Sequence, residues 1–260
     1  MCGRYTLTLA PQVLRALFSY DDQPNFPARF NIAPTQPIAI VRLVEGRRQF
    51  ALVRWGFMPS WVKNPKAFSL LISARSETVA DKPAFRAAIR RRRCLIPADG
   101  FYEWRTAGAG KQPYYIHAKS GTPLAFAGLW ETWTGPNGEE IDTAAIVTTR
   151  ANATLAPLHD RMPVIVPPWA FDVWLGQAHG EGPADLAAAM ALIAPAPDDL
   201  LEVWPVSTDV NRVANDAPRL IDAVTADAQP ETTKPKSKTA KPKKALPEKA
   251  ATDDGQGSLF

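Results

Sequence analysis

The residue with the most distinctive chemistry stands at position 2. If the initiator Met1 is removed, Cys2 presents a free α-amine and a thiol on adjacent carbons, a 1,2-aminothiol that no internal cysteine can offer. The amine adds to an aldehyde to give an imine, and the thiolate then closes onto the imine carbon, replacing a hydrolysable bond with a stable thiazolidine ring. Both nucleophiles are partly active near neutrality, since an α-amine titrates at about 7.7 to 8.0 and a thiol at about 8.5. The plainer alternative is a small residue that happens to follow a start codon. Support for the chemistry has to come from elsewhere in the chain.

The chain has 260 residues and 46% hydrophobic content, which suits one sizeable domain with its own core plus an appendage. Two cysteines, Cys2 and Cys94, make no disulfide framework. With no apolar leader and no run approaching the roughly eighteen apolar residues of a membrane span, the chain reads as cytoplasmic with reduced thiols, away from any membrane. Three scattered histidines and one leftover cysteine make no metal site, and no cofactor is expected. The pI of about 9.1 resembles a nucleic-acid signature. Most of the excess charge, however, sits at the C-terminal end, where seven lysines face four acids from Ala228 onward. The positions of the core arginines are therefore more informative than net charge.

These residues need elements to hold them. Residues 2–8 alternate, with Cys2, Arg4, Thr6 and Thr8 on one face and Tyr5 and Leu7 on the other, as in a half-buried strand. Val13, Leu14, Leu17 and Phe18 have helical spacing after Pro11, and 21–29 reads as a loop. Further strands are expected at 38–43, 49–55, 70–75, 101–105, 114–117, 124–130, 144–149, 164–166 and 203–206, and helices at 83–91, 169–177 and 184–193. Many short strands with few helices and no strict βα alternation predict an α+β fold: a mostly antiparallel, barrel-like sheet core with flanking helices. The domain is expected to span 2–226. Residues 227–260, rich in Lys, Pro, Ala and Thr, are expected to be a disordered tail.

Six segments then line up in order: Met1-Cys2-Gly3-Arg4-Tyr5, Phe30-Asn31-Ile32-Ala33-Pro34, Arg54-Trp55-Gly56-Phe57, Ala74-Arg75-Ser76-Glu77-Thr78, Ala98-Asp99-Gly100-Phe101-Tyr102-Glu103-Trp104 and His159-Asp160-Arg161-Met162-Pro163. Together they resemble the SOS-response-associated peptidase (SRAP) family of abasic-site-processing proteins, over roughly residues 2–222. The resemblance implies a SRAP fold and a DNA-repair protein of the SOS response. Such a protein binds single-stranded DNA at an abasic site and links Cys2 covalently to the ring-opened deoxyribose, shielding the strand from β-elimination. It also implies a nucleoid-associated location, with lyase or cysteine-type peptidase activity, including self-removal of Met1.

By the same resemblance Glu103 and His159 occupy the acid and base positions. On a strand, Phe101, Glu103 and Arg105 share one face and Tyr102 and Trp104 the other, so Glu103 can face a cleft with a raised pKa. The alternative is a surface glutamate paired with an arginine. His159 lies in a loop before a strand at 162–166, suited to proton shuttling, sugar ring opening or crosslink reversal; a solvated loop histidine is its plain alternative. His117 and His179 receive no role. Arg4, Arg75 and Arg161 match DNA-contacting positions and can hold phosphates bidentately, and Asn31 lies in the same motif set. Trp61, Pro34 and Trp55 are candidates for stacking or wedging beside bases, Trp55 equally for the core. Arg86 and 90–93 are either a secondary DNA contact or the satisfied end of a helix.

Two positions depart from the family pattern. Ser73 stands where asparagine is usual, and its shorter hydroxyl supplies one donor instead of two, so a contact to the sugar or the Cys2 amine is weaker or water-bridged. Ser73→Asn is therefore expected to keep or raise the crosslinking rate in a time course. The second is Pro83, near which the family can carry a basic residue, with Lys82 available to compensate. The last residues, Gln256-Gly257-Ser258-Leu259-Phe260, resemble peptides that dock on the bacterial sliding clamp, with Leu259 and Phe260 filling an apolar pocket and Gln256 hydrogen-bonding beside it. Two other readings stay open: a cysteine-type peptidase or amidohydrolase using Cys2, and a noncatalytic nucleic-acid-binding module.

Overall fold

In the computed structural model, residues 3–107, 110–177 and 183–225 are described. In chain order the strands are β1 (Tyr5–Leu7), β2 (Arg29–Ile32), β3 (Pro37–Val44), β4 (Arg47–Trp55), β5 (Ser73–Arg75), β6 (Arg93–Ala98), β7 (Gly100–Ala107), β8 (Gly110–Ala118), β9 (Leu124–Thr134), β10 (Glu140–Arg150), β11 (Arg161–Pro163) and β12 (Leu201–Pro205). The helices are α1 (Pro11–Phe18), α2 (Ala88–Arg91), α3 (Phe171–Leu175) and α4 (Pro183–Ala191).

β3 is rich in β-branched residues and pairs with β4 in full register from Pro37↔Arg54 to Val44↔Arg47. The tight connection needs positive φ at both central residues, met by Glu45 (49°) and Gly46 (75°), whose twist matches that of the flanking strands. β4 runs parallel to β10, β10 pairs with β9, β9 with β6, and β6 returns to β3. These five strands form a closed, mixed barrel with no free edge among them. β5 and β11 extend it along β10. A second sheet, antiparallel throughout in the order β12-β8-β7-β1-β2, packs on the barrel. Tyr5 meets Trp55 and Phe126 edge-on at 5.4 and 6.1 Å, and Phe101 meets Phe126 at 5.7 Å. Burying each such ring contributes about 1.5–3 kcal/mol.

The barrel-like α+β architecture is as expected, but several elements differ. β1 is shorter than 2–8 and is buried on both faces: Tyr5 and Leu7 enter the main core, and Thr6 on the other face hydrogen-bonds Tyr115 Oη at 2.9 Å. Residue 2 lies outside the described residues. β2 lies at the edge of the segment read as a loop, and β6 was not expected at all. Pro97 is tolerated in β6 because β3 pairs only at Cys94 and Leu95, so no ladder bond is lost on that side. The helix expected at 83–91 is confined to α2, since Pro83 supplies no N–H and the preceding residues run through turns. The strand expected within 162–166 begins one residue earlier, as β11, and ends at Pro163; Ile165 makes only an isolated bridge to Phe126. Trp55 is fully buried with its Nε1–H on Ile72 O at 3.0 Å, which makes it a core residue and not a stacking platform.

Within the arginine cluster, Arg93 is buried. It donates to Ile89 O and Arg90 O at the end of α2 and pairs with Asp185 of α4 at 2.5 Å. This is the helix-end reading of that residue; Arg86, Arg90 and Arg91 are exposed. No described helix is long and apolar enough to cross a membrane.

Candidate functional site

The motif from Ala98 to Trp104 turns from β6 into β7 and fixes the site. Gly100 is required at the turn: a Cβ there would lie 2.5 Å from Ile116 O and 2.5 Å from Tyr115 Oη. From that point the strand alternates. Phe101 enters the main core, whereas Tyr102 joins a second cluster with Tyr115, Val206, Val210 and Leu220, against which Trp104 packs. Glu103 returns to the barrel side and is only 2% exposed.

An open cleft of about 460 Å³ is lined by Arg4, Glu103, Trp104, Lys111, His159 and Asn211. Burial pushes the Glu103 carboxyl up to about 7, against the pull of the amino-terminal charge and with Asp160 adding to the rise. His159 is shifted the other way. Burial and then the amino-terminal charge lower its pKa, so the neutral ring is favoured. Its Nδ1 accepts the Arg161 amide N–H at 2.9 Å, which puts the proton of the neutral ring on Nε2. Asp160 Oδ1 is 2.9 Å from the same Nδ1 and becomes its hydrogen-bond acceptor only when the ring is protonated.

Arg4 is half-buried. Its Nη1 donates to Asn31 Oδ1 at 2.8 Å and Val210 O at 2.7 Å, and its guanidinium lies 5.9 Å from the Trp104 ring centre. Burial lowers its pKa. Asn31, expected as a DNA contact, is fully buried, and its Nδ2 donates to Val210, Arg212 and Asn215 carbonyls. It is placed to hold Arg4 and the 208–215 segment, not to meet a ligand directly. Trp104 completes this wall through an Nε1–H bond to Asn211 Oδ1 at 2.7 Å.

The other expected residues are not among the side chains that line this cleft. Ser73 and Arg75 sit at the two ends of β5, opposite Ile146 and Thr148 of β10. Arg75 is exposed, and nothing among the described residues pairs with its guanidinium. Trp61 is 58% exposed on the 57–72 excursion, braced edge-on by Phe68 at 5.8 Å. Pro34 is half-buried beside Thr35, whose φ is 76°. Arg161 begins β11 instead of lying in a loop. Its guanidinium, expected to meet phosphate, grips Glu77 in a bidentate pair, with Nη2 at 3.0 Å from Oε2. Sequence reasoning assigned nothing to Lys111, Asn211 or Glu77. Glu77 stood inside a quoted motif, but Lys111 and Asn211 carry no local signal and reach the cleft only through the β7–β8 hairpin and the 208–211 turn.

The second thiol offers no alternative nucleophile, because Cys94 is fully buried and its pKa is pushed well above the ordinary range. Among the described residues no group of three or more His, Cys, Asp or Glu side chains could hold a metal. Cys2, Gln256, Leu259 and Phe260 lie outside the described residues, as does His179.

The fold is thus a closed mixed barrel backed by an antiparallel sheet, with an open cleft whose lining includes a buried carboxyl and an imidazole. The SOS response associated peptidase (SRAP) family model matches residues 1–213, and the chain belongs to that family. Among its relatives, the abasic site processing protein YoqW of Bacillus subtilis is 36% identical over 86% of this chain and 100% of its own length. YoaM of the same organism, also named an abasic site processing protein, is 37% identical over 86% of this chain and 98% of its own. A crystal structure of a protein from Bacteroides thetaiotaomicron superposes with a TM-score of 0.77 over 86% of this chain and all of that one, at 23% identity, and so shares the fold.

Proposed function

We propose that this protein processes abasic sites in single-stranded DNA by joining Cys2 to the ring-opened deoxyribose as a thiazolidine, shielding the strand from scission. The relatives' names support abasic-site processing in DNA repair. The observation that carries the chemical reading is Glu103: a buried carboxyl, its pKa raised to about 7, at the wall of an open cleft shared with His159.

The Cys2 amine adds to the aldehyde carbon, and Glu103 gives its proton to the carbinolamine hydroxyl, which leaves as water. The thiol then passes its proton to the Glu103 carboxylate as sulfur closes onto the imine carbon. The acid is regenerated, and the net change is loss of one water. His159, with its proton on Nε2, hydrogen-bonds the sugar ring oxygen during opening. Ser73 orients the amine or the sugar. Arg4 and Arg75 hold backbone phosphates, Trp61 stacks on a flanking base and Pro34 wedges beside it.

The 2–226 domain carries this activity. The 227–260 tail, ending in Gln256, Leu259 and Phe260, docks on the sliding clamp and keeps the protein at replicating DNA within the nucleoid. Mature protein mixed with single-stranded DNA bearing an abasic site gives a denaturation-resistant shifted band that Cys2→Ala abolishes. Peptide cleavage with no such band would favour the cysteine peptidase, and reversible, salt-sensitive association alone would favour a simple binding module.

A further inference from the structure

The Arg161 guanidinium stands two residues along the chain from His159, and its partner is an acid that the proposed chemistry does not use. Nη1 and Nη2 grip the two Glu77 oxygens, while Nη2 also donates to Thr148 O at 2.7 Å. The arginine side chain is only 12% exposed whereas that of Glu77 is 53% exposed, so the carboxylate covers the solvent side of the fork. This is the geometry in which arginine holds a phosphate, with two parallel N–H bonds to two oxygens of one anion. The Arg161 hydrogen bonds hold Glu77 ionised down to about 2, so it does not release the fork by protonation. One further donor, the Arg161 Nε–H, is buried with no acceptor among the described residues. Arg75 is exposed on the neighbouring strand, at the level of the same Thr148.

We propose that Glu77 is a built-in competitor for the DNA backbone: it occupies Arg161 in the free protein and cedes it when a phosphate docks. Binding by Arg161 is thereby conditional, since a strand must bring enough other contacts to displace an internal anion. Undamaged single strands, held by phosphate contacts alone, are penalised most. This rests on the DNA-binding reading above.

The test measures the affinity of an undamaged single-stranded oligonucleotide for the full chain by fluorescence anisotropy across a salt series. The proteins compared are wild type, Glu77→Gln, Glu77→Ala, Arg161→Ala and the Glu77→Gln/Arg161→Ala double variant. Glu77→Gln and Glu77→Ala bind roughly two- to fivefold more tightly than wild type, the range expected for freeing one partly exposed ion pair. Their salt dependence steepens by about 0.7 per freed charge. Arg161→Ala binds more weakly, and adding Glu77→Gln to it brings no gain, because the glutamate then has nothing to withhold. Unchanged or weakened binding in both Glu77 variants, or an equal gain with and without Arg161, would overturn the proposal. Failure of the wild type itself to bind any single strand would instead sink the DNA-binding reading and the competitor role with it.

Discussion

Glu103 owes its value to where β7 leaves it, 2% exposed and yet at the lining of an open cleft. Burial disfavours the carboxylate and raises its pKa to about 7, so the group can donate a proton at the pH where the thiazolidine must form. The reaction needs this acid protonated and the Cys2 amine neutral, and the amine titrates at about 7.7 to 8.0. The rate therefore rises with pH below the Glu103 value as amine is released, and falls above the amine value as Glu103 ionises. Initial crosslinking rates measured from about pH 5 to about pH 10 should trace a bell centred between the two. Glu103→Gln should lower the peak by about a hundredfold or more and abolish the alkaline fall, because an amide gives up no proton. At this scale the sequence was informative about residue type and silent about engagement. It marked Glu103 and His159, but not that Asn31 is buried behind Arg4 or that Arg161 is already gripped by Glu77. Both facts depend on side chains that meet across long sequence separations.

At the level of elements, one short motif does most of the positioning. Gly100 lets β7 pass close to β8, Tyr102 anchors the outer face by donating to Phe30 O at 2.8 Å, and only then does Glu103 fall at the cleft. A methyl at Gly100 has no room against Ile116 O, a backbone atom. Gly100→Ala is therefore expected to cost about 1–3 kcal/mol in urea unfolding and to slow crosslinking without touching any reacting group. The strand alternation that put Phe101 and Glu103 on one face was legible because its period is short and local. β6 was not, because Arg93 extends a basic run and Pro97 reads as a breaker. What makes it a strand is pairing with β9 along its whole length, from Arg93↔Leu129 to Ala98↔Leu124. Arg93 itself is paired with Asp185 of α4, a buried ion pair whose disruption on one side typically costs about 3–5 kcal/mol.

In the whole molecule, the second sheet contributes Glu103, Trp104 and Lys111 to the cleft, and His159 enters it from the segment before β11 of the barrel sheet. Many short strands made the barrel-like class readable from the sequence, but closure through the parallel β4–β10 contact was not. That contact joins residues such as Arg54 and Thr143, far apart in the chain. If the working unit is the 2–226 domain, a chain ending at Ala226 keeps its thermal unfolding midpoint and its crosslinking rate. On the clamp-docking proposal it is no longer retained by purified sliding clamp in a pull-down. Equal retention of the two forms would remove the tail's assigned role and leave the chemistry standing. The most direct measurement is intact and peptide mass spectrometry of the nuclease-trimmed adduct formed with abasic single-stranded DNA. The account predicts that the modification sits on the N-terminal peptide beginning at Cys2, with a mass equal to peptide plus sugar remnant less one water, unchanged by prior borohydride treatment. An adduct mapped to a lysine, or a peptide that still carries Met1, would contradict it.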